Sequence, residues 1–157
     1  MSNVKPIPEG FHSVTPYLFV RNAAGAMDFY KDVFGAAELV RMRGPDGRIM
    51  HAELKIGDSI VMLADENPSL GIMSPQMVGG FSVGMHMYVE NADSVVQKAV
   101  AAGAKILRPI KDQFYGDRSG TVLDPFGHMW SISTHVEDVS PDEMKKRMAA
   151  ASQAAGS

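Results

Sequence analysis

His51 and Glu53 stand two residues apart in the run Met50-His51-Ala52-Glu53-Leu54-Lys55-Ile56. If the run is a strand, imidazole and carboxylate share one face, because strand side chains alternate with period two. His86 lies two residues beyond Gly84, and the same rule puts those two positions on one face of their own strand. One carboxylate and two imidazoles would give a divalent ion three protein donors, and such an ion could polarise a carbonyl or enediolate oxygen. Without a metal the same groups serve as hydrogen-bonding anchors of a pocket. The histidines are His12, His51, His86, His128 and His135, with no pair spaced two or four residues apart. That spacing favours the anchor reading, since a catalytic metal normally shows three clear ligands.

Aromatic and polar side chains supply the rest of a candidate binding surface. Trp130, the one tryptophan, alternates with Ser131, so it faces either the helices or the opposite side of the sheet. On the latter side it would stack a planar ligand, with its indole N–H orienting it. Tyr17, Tyr88, Phe114 and Tyr115 could extend such a wall, although each also suits an ordinary strand. Of twelve methionines, Met62, Met73, Met77, Met85 and Met87 could form a soft lining or simply fill the core. The segment Phe114-Tyr115-Gly116-Asp117-Arg118-Ser119-Gly120 is the densest polar cluster, and its glycines permit close approach of a ligand. Asp117 and Arg118 either pair with each other at the surface or project toward a charged ligand. Asp124 reads as a turn former whose carboxylate accepts nearby backbone N–H groups. The expected ligand-binding residues are therefore Tyr17, His51, Glu53, His86, Tyr115, Asp117, Arg118 and Trp130; His12, His128 and His135 read as incidental, and no residue is assigned a catalytic role.

These residues sit on a pattern that occurs twice. Phe19-Val20-Arg21-Asn22-Ala23 is answered by Tyr88-Val89-Glu90-Asn91-Ala92, Gly35-Ala36 by Gly103-Ala104, and Ile56-Gly57-Asp58 by Phe126-Gly127-His128, all about 69 residues apart. In the first copy a strand at 14–20 leads into a helix from Ala23 that Gly35 stops, followed by strands at 38–42, 48–56 and 59–63. In the second, a strand at 82–89 and a helix at 92–102 precede strands near 105–110, 120–123 and 128–134. Each copy reads βαβββ, so the expected fold is α+β: tandem units forming a curved mixed-sheet cup with pseudo-twofold symmetry. The repeats span about 12–65 and 82–135 of a single domain. A linker at 66–81 is long enough to act as a flap. A helix begins at Pro141 behind Ser140 and runs through Met148, within a C-terminal segment at 139–157 whose Ala-Ser-Gly end frays.

With 157 residues, 45% of them hydrophobic, the chain can bury one substantial core. No apolar run approaches the roughly 18 residues of a membrane span, and the N-terminal residues show no signal-peptide pattern, so a cytoplasmic location is expected. Cysteine is absent, which removes disulfides and thiolate chemistry. Fifteen Lys and Arg against eighteen Asp and Glu leave a net charge of −3 with no basic stripe, which argues against nucleic acid. No nucleophilic triad, phosphate loop or dinucleotide fingerprint is present.

The tandem βαβββ order, with Asp28-Phe29-Tyr30 early and Asp124-Pro125-Phe126-Gly127-His128 late, resembles the vicinal oxygen chelate superfamily of glyoxalase I, extradiol dioxygenases and bleomycin-resistance proteins. Four stretches inside Thr15 to Thr134 are similar to its PhnB-like branch: Thr15-Pro16-Tyr17-Leu18, Ile49-Met50-His51-Ala52, Ser59 to Asp65, and Phe114-Tyr115-Gly116 through Trp130. The resemblance implies a metal held by four positions on the first and last strands of each unit. By register these fall near Thr15, on Met62 or Val61, near Gly84 and on Ser131. None is a His, Glu or Gln, and hydroxyls or a thioether are poor donors for hard or borderline ions. The expected function is therefore binding of a small, partly aromatic ligand by a homodimer, with no metal. The alternative is a metal-dependent lyase or related enzyme of the glyoxalase class, its divalent ion held by a relocated set, His51, Glu53 and His86.

Overall fold

A computed structural model describes residues 3–156. The chain divides into two compact units, one reaching to Ser82 and including 125–127, the other comprising 83–124 and the residues from His128 onward.

The first unit holds β1 (Tyr17–Val20), α1 (Ala23–Phe34), β2 (Ala37–Arg43), β3 (Ile49–Ile56) and β4 (Ser59–Asp65), in the sheet order β1-β4-β3-β2. β1 runs parallel to β4, and the other pairs are antiparallel. Alternation along the strands buries Leu18, Val20, Ala52, Leu54 and Leu63 on one face. α1 presents Ala26, Met27, Tyr30 and Val33 at helical spacing, all buried. Lys31 of α1 bonds Glu38, the register partner of Leu54, so the helix covers that face. Its start is set by Asn22, whose Oδ1 accepts the Gly25 N–H at 3.0 Å, and by Asp65, whose Oδ1 accepts the Ala23 N–H at 2.7 Å. The other Asp65 oxygen takes the Ile49 N–H at 2.7 Å, tying helix start and strand start to one carboxylate.

The expected linker is more ordered than its Pro and Gly content suggests. It contains a 3₁₀ turn at Pro68–Leu70, a bridge between Asn67 and Ile72, and the short helix α2 (Pro75–Val78). Ser74 is fully buried and donates to Glu66, which also takes Arg21 at 2.8 Å. The 125–127 turn belongs to this unit. Phe126 lies 6.2 Å from the ring of Phe29 and 6.4 Å from that of Tyr30. Gly127 has φ of 89°, and a Cβ there would stand 2.6 Å from Pro75, so both conformation and space call for glycine.

The second unit repeats the order with β5 (Gly84–Tyr88), α3 (Ala92–Ala101), β6 (Lys105–Asp112), β7 (Asp117–Leu123) and β8 (Met129–His135), arranged β5-β8-β7-β6. Asn91 caps α3 through the Ser94 N–H at 3.0 Å, and Thr134 Oγ1 takes the Ala92 N–H at 2.9 Å, as Asn22 and Asp65 do for α1. Helix α4 (Pro141–Ala155) follows, capped by Ser140. It continues seven residues beyond Met148, because the Ala-rich stretch expected to fray consists of good helix formers.

β7 differs most from expectation. It begins at Asp117 rather than Gly120, since pairing with β8 from Asp117↔His135 onward captures residues whose composition reads as a loop. Asp117 and Arg118 are consequently strand neighbours on opposite faces and do not pair with each other. Gly116, just before the strand, has φ of 99°, and its would-be Cβ meets the Glu137 carbonyl oxygen at 2.1 Å, fixing glycine where the chain leaving β8 returns.

Candidate functional site

Each sheet has one face covered by its helix and one face away from it. On the uncovered face of the first sheet, Tyr17 pairs in register with Met62, and Met62 with Glu53, placing the three in one row across β1, β4 and β3. His51 takes the next position of β3 on that face, and Phe19 the next of β1. Tyr17 Oη lies 2.7 Å from His51 Nδ1, and His51 Nε2 lies 3.0 Å from Glu53 Oε1. A carboxylate oxygen accepts, so Nε2 carries a proton; in the neutral ring Nδ1 then accepts the Tyr17 O–H. Phe19 stands 5.1 Å from the Tyr17 ring. His51 and Glu53 are largely sheltered, with 25% and 17% of their side chains exposed, whereas Tyr17 is 40% exposed. Burial, and secondarily the Glu53 charge, raises the Tyr17 phenol above its ordinary pKa, so this end of the chain stays protonated.

The uncovered face of the second sheet is more polar. His86 pairs in register with Ser131, and Tyr88 with Ser133; across β8, Ser131 meets Thr121, Ser133 meets Ser119 and His135 meets Asp117. Ser133 donates to Ser119 at 2.7 Å, and Thr121 and Ser131 lie 3.3 Å apart, with Ser119, Thr121 and Ser133 all buried. Asp117, only 4% exposed, accepts from Tyr88 Oη at 2.9 Å and from His135 Nδ1 at 2.7 Å. His135 Nε2 reaches Asp138 at 2.8 Å. Those two carboxylates, Asp138 more than Asp117, raise the imidazole above its ordinary pKa. The Asp117 bond, followed by burial, likewise raises Tyr88.

Of the residues expected from sequence, Tyr17, His51 and Glu53 form one hydrogen-bonded chain. His86 and Asp117 share the uncovered face of the second sheet, where the His86 ring lies 5.0 Å from that of Tyr88. Tyr115 lies in the turn before β7, edge-on to Phe114 with centroids 5.3 Å apart. Arg118 and Trp130 are on the helix side. Arg118 holds Asp93 of α3 through two bonds of 2.7 and 2.8 Å and Asp112 at 3.1 Å. Trp130 is 2% exposed and donates its indole N–H to Asp124 at 2.9 Å, so it packs the core rather than stacking a ligand on the uncovered face. Asp124 also accepts the His128 N–H at 2.9 Å, closing the turn. Sequence reading missed Ser119, Thr121, Ser133 and the engagement of His135. Period-two alternation from Asp117 would have found Ser119 and Thr121, given the true start of β7, whereas Ser133 and His135 lie on β8 and follow only from its pairing with β7.

The four positions that a superfamily metal would use do not fit a divalent ion. Met62 offers a thioether between Tyr17 and Glu53, and Ser131 spends its hydroxyl beside Thr121. A Cβ at Gly84 would lie 2.4 Å from the Met129 methyl, so that side chain fills the space a ligand residue would need. Thr15 supplies only a hydroxyl. Among the described residues, no three His, Asp or Glu side chains are grouped as a metal site. A further depression, about 250 Å³ in volume, lies in the first unit among Pro45, Arg48, Ile49, Met50, Leu70 and Ile72.

Two mixed four-stranded sheets, each from a βαβββ unit, define a glyoxalase-type fold. The chain belongs to the Glyoxalase/Bleomycin resistance protein/Dioxygenase superfamily, whose family model matches residues 10–132. It is 42% identical over 149 residues to the uncharacterised protein Mb0911c of Mycobacterium bovis, covering 93% of this chain and 94% of that one. The crystal structure of the At5g48480 gene product of Arabidopsis thaliana superposes with a TM-score of 0.64 at 28% identity, covering 78% of this chain and 98% of that one. A protein described as PhnB and as a putative 3-demethylubiquinone-9 3-methyltransferase, from Bacillus cereus, shares the fold with a TM-score of 0.63 at 20% identity, covering 78% and 99%. No helix among the described residues is long and apolar enough to cross a membrane.

Proposed function

We propose that the protein binds a small, partly aromatic ligand on the uncovered face of its sheet, acting as a homodimer and without a metal. The observation that carries this reading is the Tyr17–His51–Glu53 chain, a row of fixed polar anchors flanked by Phe19 and Met62. Sheltered hydrogen-bonding groups set among aromatic and soft apolar side chains are what a small-ligand site requires. The superfamily's name includes bleomycin resistance, which fits a sequestering role. Tyr17, His51 and Glu53 serve as its anchors on the first sheet, and His86 and Asp117 are the corresponding polar groups of the second sheet's own uncovered face.

A second reading, a metal-dependent lyase of the glyoxalase class, draws on His51 and Glu53 standing side by side. Both nitrogens of His51 are already bonded within the chain, so a metal there would first have to displace Tyr17 or Glu53. The two readings separate in one series. Protein purified without chelators is assayed for metal, then titrated calorimetrically with metal-free bleomycin and with 1-naphthol before and after dialysis against EDTA. Binding unaffected by EDTA and weakened about tenfold by His51→Ala supports the first reading. Stoichiometric metal, with turnover of the methylglyoxal–glutathione adduct restored by Ni²⁺, Zn²⁺ or Mn²⁺, establishes the second.

A further inference from the structure

The depression of the first unit lies at the end of the sheet where β3 begins and β4 ends. Its floor is Ile49 and Ala64, both buried, and none of Tyr17, His51 and Glu53 lines it. One wall is the turn joining β2 to β3, closed by the Gly44 N–H on the Arg48 carbonyl at 2.9 Å and the Gly47 N–H on that of Gly44 at 3.0 Å. The other is the Asn67–Ile72 bridge, whose two backbone bonds measure 2.7 and 3.0 Å. Both walls are held by the fold, so whatever enters does not have to order them. Pro45, Met50, Leu70 and Ile72 make them apolar, and Met50 and Leu70 are left 65% and 70% exposed. A ligand seated between them would remove that apolar surface from water.

The polar groups of the depression divide by kind. Every carboxylate lining it is occupied. Asp46 accepts the Arg48 backbone N–H at 3.1 Å and its Nε–H at 2.7 Å, Asp65 accepts the Ala23 and Ile49 N–H groups, and Glu66 takes Ser74 and Arg21. The Ser74 and Arg21 bonds hold Glu66 below the ordinary carboxylate range, and the Arg48 bonds do the same for Asp46, so both stay charged. The donors are different. Arg48 crosses toward the far wall, where Nη1–H donates to the Glu66 carbonyl at 3.3 Å, and its Nη2 has no partner among the described residues. Asn67 Oδ1 accepts the Ser69 O–H at 2.6 Å, and its Nδ2 is likewise unpaired. What the depression lacks is an acceptor. Three carboxylates against one guanidinium also make it unfavourable for a further anion.

We propose that this depression is a second ligand site, separate from the Tyr17–His51–Glu53 chain, and that it takes a small neutral molecule with a compact apolar body and one carbonyl oxygen, such as a cyclic ketone or lactone. The body lies between Met50 and Leu70 over Ile49 and Ala64. The carbonyl oxygen accepts from the spare N–H groups of Arg48 and Asn67, which belong to opposite walls. A volume of about 250 Å³, below that of pockets for drug-sized ligands, limits the body to a single ring. A carboxylate would suit the same donors but would be repelled by Asp46, Asp65 and Glu66. An ammonium would meet carboxylates whose oxygens are already bonded, and it would face the guanidinium.

The test uses cyclohexanone, cyclohexanecarboxylate and cyclohexylammonium, which share one ring and differ in the head group. Each is titrated at neutral pH into the isotope-labelled full-length protein, and backbone amide shifts are followed by NMR. Cyclohexanone is expected to give saturating shifts at Arg48, Ile49, Leu70 and Ile72, with a Kd on the order of 1 mM for so small a ligand. The two charged probes should bind at least about tenfold more weakly. Arg48→Met keeps the apolar stem but removes the donors, and it should weaken cyclohexanone about tenfold. Asn67→Asp keeps the acceptor for Ser69 and exchanges the amide N–H groups for a charge, so it should weaken the ketone and strengthen the ammonium. Amide spectra away from the depression verify that both variants are folded. The proposal is overturned by the absence of saturating shifts at these amides, or by tighter binding of either charged probe than of the ketone. It is overturned equally by a ketone affinity indifferent to both substitutions, or by shifts centred on Tyr17 and His51 instead.

Discussion

At equivalent register positions the first sheet carries Tyr17, Met62 and Glu53 where the second carries His86, Ser131 and Thr121. One step along, Phe19 and Ala64 answer to Tyr88 and Ser133. The first face is aromatic and apolar with a single polar chain across it, whereas the second is floored by paired hydroxyls and a buried carboxylate. On the helix side the halves agree closely. Asn22 and Asn91 cap α1 and α3 in the same way, and Asp65 and Thr134 take the N–H of the first helical residue from the end of the last strand. What assembles the sheet and seats the helix has kept one solution, while the faces that can meet a ligand have diverged. Divergence on that side leaves strand order intact, because the backbone pairing that sets it is the same in both sheets.

The seats of the two helices give the strongest test of that likeness. Asp65 accepts two N–H groups as a carboxylate, one starting α1 and the other starting β3, whereas Thr134 accepts one and donates to the Val89 carbonyl at 2.9 Å as a neutral hydroxyl. Hydrogen bonds to charged groups contribute about twice what neutral ones do, so Asp65→Ala should cost about 3 kcal/mol and Thr134→Val about 1.5 kcal/mol. Urea denaturation of the two variants checks the ratio. Equal costs would show that the capping position matters and the charge does not.

A smaller effect separates the uncovered faces. Ser133 is fully buried and donates to Ser119, so Ser133→Ala leaves a buried hydroxyl without its partner at a cost of about 1 to 2 kcal/mol. Replacing both by Ala removes donor and acceptor together, and the double variant should recover most of that loss. The equivalent positions in the first sheet, Ala64 and His51, hold no such pair, so His51→Ala should alter ligand binding far more than it alters the denaturation midpoint. If the double serine variant is no more stable than the single one, the hydroxyl floor is not a coupled unit.

The scaffold was legible because its signals are local. Asn22 and Asn91 precede helical periodicity, Gly35 and Gly103 follow it, and the strands alternate in polarity. The site was legible only where one strand carries it. His51 and Glu53 share a face by spacing alone, but the partnership with Tyr17 depends on the β1-β4-β3 order, which no local pattern encodes. Trp130 was open between two faces until its bond to Asp124 decided it. Asp117 sits in a segment with loop composition, and pairing with β8 makes it strand. His135, its register partner, could not be recognised as engaged until that pairing was known.

The smallest expected effect concerns that histidine, and it sharpens the contrast because the second face alone joins an imidazole to two carboxylates. Asp138 and then Asp117 hold the proton on His135, raising its pKa in the folded chain above the ordinary 6.5. For a group whose folded pKa is raised, the stabilisation is fully present below the unfolded value and is lost as pH climbs through the folded one. Stability should therefore decline on the alkaline side of 6.5 by a modest amount, since the ring is half exposed and its outer partner Asp138 is in open solvent. Imidazole NMR gives the direct reading. His135 should titrate above 6.5 in the intact protein, and Asp138→Asn should move its midpoint down toward that value, because it removes the larger of the two causes. The Tyr88 to Asp117 bond lies on the inner side of the chain and should survive this change. A midpoint at or below 6.5, or one indifferent to Asp138→Asn, would mean that Asp117 is saturated by Tyr88 and that the second face carries no charge at His135 near neutrality.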